Sequence, residues 1–352
     1  MGRGHHNNVE LVLVGIALLS AIAYLLNAGI LRDDAVFGLD FQWFYVAGLT
    51  WLDGRSPYDV KAFEQAWTAG LGTDYVTSFM FPPTTILVSV PLAMMEWSTA
   101  RLAFAITNLV IFLAGITAVS CHLLQIYGRS RLFQILLLLT LACLVSAVPG
   151  TIQIGQVGIM AMSGIIGAII CWRHRLIWAS ALCVVAATMK PQLTLPALVY
   201  LAAIGGLRPL VYGALLSLLI TVVVIAMSAG FDPGWLIEGH DRYTSLHFNR
   251  PANYAGIPAM FGETGFASAM TGGGALVAVL LALTIGRQAG ATGNTNETDA
   301  KGRSTDHAFD RRIMQGLLLT FCLTAALMPV RQYDLVIYAP CFLLLVSLER
   351  RL

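Results

Sequence analysis

Charge is what this sequence lacks most. Asp, Glu, Lys and Arg together make up 11% of its 352 residues, while 57% are hydrophobic. A soluble domain carries about 25% charged residues. So few charges cannot cover a water-facing surface, so the apolar excess must face lipid and a soluble globular enzyme is excluded. Cysteine is sparse and unpatterned. The six (Cys121, Cys143, Cys171, Cys183, Cys322 and Cys341) form no CxxC pair and lie in or beside apolar runs. They read as small core hydrophobes, not as a disulfide framework or a metal set. No P-loop, no G-x-G-x-x-G before a helix and no G-x-S-x-G occurs. Nucleotide-driven chemistry at a cytoplasmic face therefore has no support.

What is there is a series of apolar runs. A spanning helix needs about 20 mostly apolar residues. The candidates are roughly 11–30, 100–126, 132–148, 157–171, 176–189, 191–206, 209–229, 266–286, 313–328 and 333–348. The first has no convincing cleavage site and reads as a retained anchor. Segment 84–97 is the ambiguous one. Cytoplasmic loops collect Lys and Arg. With 84–97 lying along the outer interface, thirteen of the 21 basic residues fall inside, among them Arg129, Arg131, Arg173, Arg175, Arg208, Arg287 and Arg312. Making it a span would put Arg173 and Arg175 outside. The segment is also short, and Pro91 is expected to divide it.

The expected fold is therefore all-α and polytopic, one integral membrane domain over 1–352 with about ten transmembrane helices and both termini cytoplasmic. A first outer loop at 31–99 should carry two amphipathic, membrane-lying helices at 40–53 and 59–70, rich in Trp and Phe. A second outer loop occupies 230–265. Residues 287–312 read as a flexible cytoplasmic loop.

Five polar clusters fall on the outer side under this topology. Asp40 opens GLDFQWFY, close behind the first span; an N-cap is the plain reading of such an Asp, and a catalytic acid is compatible with it. Tyr58 lies in GRSPYD, and Pro82 and Pro83 in FPP stiffen the entry to a helix. Gln156 stands in GQVG beside flexible glycines. Lys190 in KPQ sits between two short apolar runs. An ionisable residue that deep is a functional candidate, although its ammonium could also snorkel to the interface. Arg331, Tyr333 and Asp334 lie in RQYD; Arg suits bidentate phosphate binding, or could pair locally with Asp334. The large loop adds Asn253 with His240 and His247, whose spacing is no standard metal pattern. One acid, two cations and several neutral hydrogen-bonding groups thus share one face.

In their order, GLDFQWFY, GRSPYD, FPP, GQ, KPQ and the final YD resemble the multi-spanning GT-C glycosyltransferases, closest to glycosyltransferase family 87 (DUF2029), over roughly 38–340. The resemblance implies a GT-C-like bundle, a polyprenyl-phosphate monosaccharide as donor, mannose foremost, and Asp40 as the catalytic acid–base residue. Members can use a histidine in a late outer loop. RQYD has none, so His240, His247 or Gln332 would take that place.

Together these readings give an inverting glycosyltransferase of the bacterial inner membrane, working on cell-envelope glycolipids at the outer face. Asp40 is the general base. Lys190 and Arg331 bind the donor phosphate. Gln156, Gln192, Asp334 and Tyr333 orient the donor. Gln42, Tyr45, Tyr58 and Asn253 belong to the acceptor side or its loop. The expected partners are the prenyl donor, a lipid or glycan acceptor and membrane lipids, with no nucleic acid, metal or cofactor. The alternative is a lipid or solute transporter without chemistry, which would more naturally place its charges at mid-span; a non-catalytic scaffold explains the shared face least well.

Overall fold

The computed structural model describes residues 3–31, 37–72, 78–124, 131–228, 232–235, 237–238, 254–255, 265–291, 306–327, 330–331 and 339–340. Among the described residues the protein is helical, apart from one short strand pair. α1 (Arg3–Leu26) ends in a π-type turn over Asn27–Leu31. α2 (Phe41–Leu52), α3 (Val60–Leu71), a 3-10 turn (Pro83–Thr85) and α4 (Ile86–Ala93) form the segment that leads to α5. Then follow α5 (Trp97–Leu124), α6 (Arg131–Cys143), α7 (Ala147–Ile154), α8 (Gly158–Arg173), α9 (Ile177–Ala187), α10 (Pro191–Ala203), α11 (Leu207–Met227), α12 (Gly265–Ala291) and α13 (Asp306–Leu327).

Nine of the ten expected spans coincide with these helices. The tenth, 333–348, lies outside the described residues except for 339–340. Among the described residues, four helical stretches are long and apolar enough to cross a membrane alone: Leu11–Leu31, Trp97–His122, Leu207–Met227 and Gly273–Ala291. α6 and α7 make a fifth, bent by 63°. α8, α9, α10 and the apolar part of α13 are shorter.

Lipid contact is written on the surface. Only 11% of the Leu207–Met227 window is buried, and Leu215, Leu218, Leu219 and Val222 are all exposed. A face this apolar is a liability in water and at home in hydrocarbon. Where α9 and α11 begin, exposed Trp178 stacks on Tyr212 with ring centroids 4.8 Å apart. Arg175 and Arg208 lie one turn before them in sequence, the order expected at a headgroup boundary.

Two cores hold the fold. The bundle core gathers around Phe112, Ile116, Ile165, Ile169, Tyr200, Leu317 and Phe321. Tyr200 donates to the Ile313 carbonyl at 2.6 Å, satisfying its buried hydroxyl. The five described cysteines, Cys121, Cys143, Cys171, Cys183 and Cys322, are free thiols.

The second core is aromatic and caps one end of the bundle. Phe41 stacks on Phe104 at 4.7 Å and on Trp97 at 5.5 Å. Trp43 meets Trp67 edge-on at 5.9 Å, and Trp51 meets Phe79 at 5.7 Å. α3 is two-faced as expected, burying Val60, Phe63 and Trp67 and exposing Lys61 and Gln65. α2 is not: nine of its 12 residues are buried. It is enclosed because α3, α4 and α5 cover it from different sides. At Gly48 a Cβ would stand 2.3 Å from the Ser89 carbonyl oxygen, so only glycine lets α2 and α4 approach this closely. Trp43, Trp51 and Trp67 are therefore packing groups of the interior, where aromatics of membrane-lying helices were expected. α4 also differs from expectation in one respect: it runs through Pro91 unbroken. Its eight residues rise about 12 Å, too little to cross a bilayer.

A two-residue antiparallel pair completes the fold. β1 (Tyr254–Ala255) pairs with β2 (Val330–Arg331), Tyr254 opposite Arg331. The backbone of the second large loop is thereby tied to the junction that follows α13.

Candidate functional site

The site is built from a helix end. α7 closes with Gly155 at φ +78°, a left-handed conformation that costs glycine little. Gly155 N–H donates to the Ile152 carbonyl at 3.2 Å and Gln156 N–H to the Thr151 carbonyl at 3.1 Å. This is the Schellman arrangement, and it fixes the direction in which Gln156 leaves the helix. The last carbonyls of α7 have no partner within the helix. The turn before α2 supplies two: Gly38 N–H donates to Gln153 O and Asp40 N–H to Ile154 O, both at 2.7 Å. A Cβ on Gly155 would lie 2.4 Å from Phe41 Cβ. The glycine is thus needed twice, for the turn and for the approach that places Asp40.

Gln156 is 3% exposed and Lys190 is 3% exposed. Lys190 Nζ donates to Gln156 Oε1 at 2.8 Å. Gln156 Nε2 donates to Asp40 Oδ2. Asp40 stands at the N-terminal boundary of α2, but its carboxylate makes no cap bond to that helix. The capping role is absent and the carboxylate turns to Gln156 instead. Lys190 sits at the α9–α10 junction, where Pro191 begins α10. Its ammonium is buried and bonded rather than snorkelling outward. Thr194 Oγ1 bonds back to the Ala187 carbonyl at 2.8 Å and holds this junction together.

Asp40, Gln156 and Lys190 are therefore brought together from three distant parts of the chain. The rest are distributed. Gln42 is half-buried in the first turn of α2, and Gln192 is exposed in the first turn of α10. Tyr45 donates to the Met95 carbonyl at 2.9 Å and Tyr58 to the Phe81 carbonyl at 2.7 Å. Burial raises both phenols above their ordinary value, with Glu96 adding to the effect at Tyr45, so both stay neutral donors. The GRSPYD and FPP elements meet through Tyr58 and Phe81 and brace the aromatic cap. Arg331 is placed by its backbone in β2. Asn253, Tyr333, Asp334, Gln332, His240 and His247 lie outside the described residues. Among the described residues no group of three or more His, Cys, Asp or Glu side chains is placed to hold a metal ion.

Two features went unread in the sequence. Arg101 of α5 lies 4.8 Å over the Phe37 ring, beside the turn that carries Asp40. Its position at the start of the second long apolar run was the available signal. Thr188 Oγ1 lies 3.4 Å from both Thr84 Oγ1 and Ser217 Oγ, a hydroxyl cluster that ties FPP to α9 and α11. Scattered threonines and serines in apolar runs give no such signal.

No curated protein and no solved structure matches the chain. The family model of glycosyltransferase family 87 matches residues 79–300. The matched range holds Phe81–Pro83, Gln156 and Lys190, while Asp40 precedes it and is joined to it through Gln156. Since the match covers well over half of the sequence and runs through the centre of the site, the chain belongs to glycosyltransferase family 87.

Proposed function

We propose that this glycosyltransferase moves a monosaccharide, mannose foremost, from a polyprenyl phosphate to a hydroxyl of a lipid or glycan acceptor, with inversion, at the outer face of a bacterial inner membrane. One observation carries the reading: a carboxylate, Asp40, and a buried cation, Lys190, meet through Gln156.

Asp40 takes the proton of the acceptor hydroxyl as its oxygen attacks the anomeric carbon. The bond from that carbon to the phosphate oxygen breaks, and the phosphate leaves with the electron pair. Lys190 and Arg331 receive the negative charge that builds there. Gln192, Tyr333 and Asp334 orient the donor; Gln42 and Asn253, with the loop braced by Tyr45 and Tyr58, border the acceptor.

Depth supports a lipid-borne donor. α9 has 11 residues and rises about 17 Å from the end marked by Arg175 and Trp178. The hydrocarbon layer is about 30 Å thick. Lys190 would then lie past the midpoint of that layer, in its outer half, a depth that a prenyl phosphate reaches from the side, through lipid.

The test is transfer from a panel of radiolabelled polyprenyl-phosphate sugars to total membrane lipid, with the protein in nanodiscs and the product's anomeric configuration read by NMR. The expected product has the configuration opposite to the donor's. A retained configuration would refute the single displacement, and transfer from sugar nucleotides alone would refute the donor class.

A further inference from the structure

We infer that Gln156 is the positioning residue of this site: its amide clamps the Asp40 carboxylate and the Lys190 ammonium into one fixed unit. The inference rests on Asp40 acting as the base.

The polarity of the clamp follows from hydrogen-bonding chemistry. An ammonium can only donate, so the amide oxygen must face Lys190, and it does at 2.8 Å. The amide N–H is then left facing Asp40, and it bonds Oδ2. A carboxylate can only accept, so the row runs from cation through amide to anion without a mismatched pair. Each hydrogen bond to a charged group is stronger than one between neutral groups. The amide itself cannot rotate out of place easily. Gln156 is 3% exposed, and its backbone is fixed by the Schellman turn at Gly155. The turn carrying Asp40 is pinned to the same helix end by Gly38 and Asp40 N–H. One helix terminus therefore sets both the main-chain position and the side-chain direction of the base. Arg101 approaches the same turn from α5, so the Asp40 segment faces cations from α5 and from the α9–α10 junction.

Such a role predicts a particular kinetic signature. Gln156→Leu keeps the volume and removes both bonds. Loss of bonds to charged groups should lower kcat about 10- to 100-fold. The KM for polyprenyl-phosphate mannose should stay within about threefold, because the donor still binds. Gln156→Glu adds a second reading. At low pH its carboxyl is protonated and can donate to Asp40 as the amide does. At high pH it is an anion between Lys190 and Asp40, pairing with the ammonium but repelling the carboxylate it has to hold. Its activity relative to wild type should therefore fall as pH rises.

The experiment is steady-state transfer from radiolabelled polyprenyl-phosphate mannose by full-length protein in nanodiscs, for wild type, both Gln156 variants and Asp40→Asn, with melting temperatures measured alongside. A fall in kcat at constant KM, with the pH-dependent loss in Gln156→Glu, is the expected result. Wild-type kcat in Gln156→Leu while Asp40→Asn is inactive would overturn the clamp alone. A raised KM at unchanged kcat would overturn it in favour of direct donor contact. If Gln156→Leu does not fold, a flat Gln156→Glu profile relative to wild type would overturn it. Full activity in Asp40→Asn would remove the base, and the clamp with it.

Discussion

Asp40, Asp53 and Asp59 follow one another along the segment between α1 and α5, and each carboxylate meets a different partner. Asp53 is exposed and pairs with Arg55 at 2.9 Å. Asp59 caps α3, accepting from Lys61 N–H at 3.0 Å and Ala62 N–H at 3.3 Å. Asp40 turns away from its own helix to Gln156. Their removal should therefore differ in kind. Asp59→Ala should cost about 1 kcal/mol of stability and leave transfer intact. Asp53→Ala should change neither by more than a few tenths of a kcal/mol, since exposed ion pairs contribute little. Melting curves and transfer rates of the two variants check this. Tyr58 offers a pH test. Burial raises its phenol above the ordinary value of 10.0. A group raised in the folded state gives stability that is intact below its unfolded value and is lost as pH climbs past it. The melting temperature should therefore be insensitive to Tyr58 at neutral pH and fall above about pH 10. Tyr58→Phe should remove that alkaline component, while costing about 1–2 kcal/mol for the Phe81 carbonyl left without its donor.

At the scale of elements, the end of α7 decides whether the site exists. Gly155→Ala would put a side chain into a left-handed turn, at about 1–2 kcal/mol, and press it against Phe41. The expected outcome is at least a tenfold loss of transfer with a lower melting temperature, both read on purified protein. Near-normal activity would show that the turn does not place Asp40. Much of this layer could be read in advance. Apolar runs predicted nine of the helices, four of them long enough to cross alone and a fifth as a bent pair, and the eight-residue α4 within 84–97 is too short to be another. GQ was legible only as a polar group beside flexible glycines, and the helix end at Gly155 was not read. What could not be read was enclosure. The aromatics of α2 look like those of an interfacial helix, because composition does not say how many neighbours will cover it. Gly48 is the residue that admits α4, and a lone glycine in a helix has many meanings. The capping reading of Asp40 was equally natural, because only a residue 116 positions away decides otherwise.

For the whole molecule, the separation along the chain is the main point. Gln156 lies 34 residues from Lys190 and 116 from Asp40, so no local pattern joins them. Charge-derived topology placed all three on one face, and the bundle brings them into contact. β1 and β2 add the second loop and the last junction to each other by their backbones. The central claim is that Asp40 serves as the base of sugar transfer from a prenyl phosphate. The most direct measurement compares wild type with Asp40→Asn in nanodiscs, using polyprenyl-phosphate mannose and total membrane lipid. The account predicts transfer by wild type and a loss of about 10²- to 10⁴-fold in the variant, with an unchanged melting temperature. Full-rate transfer by folded Asp40→Asn would contradict it.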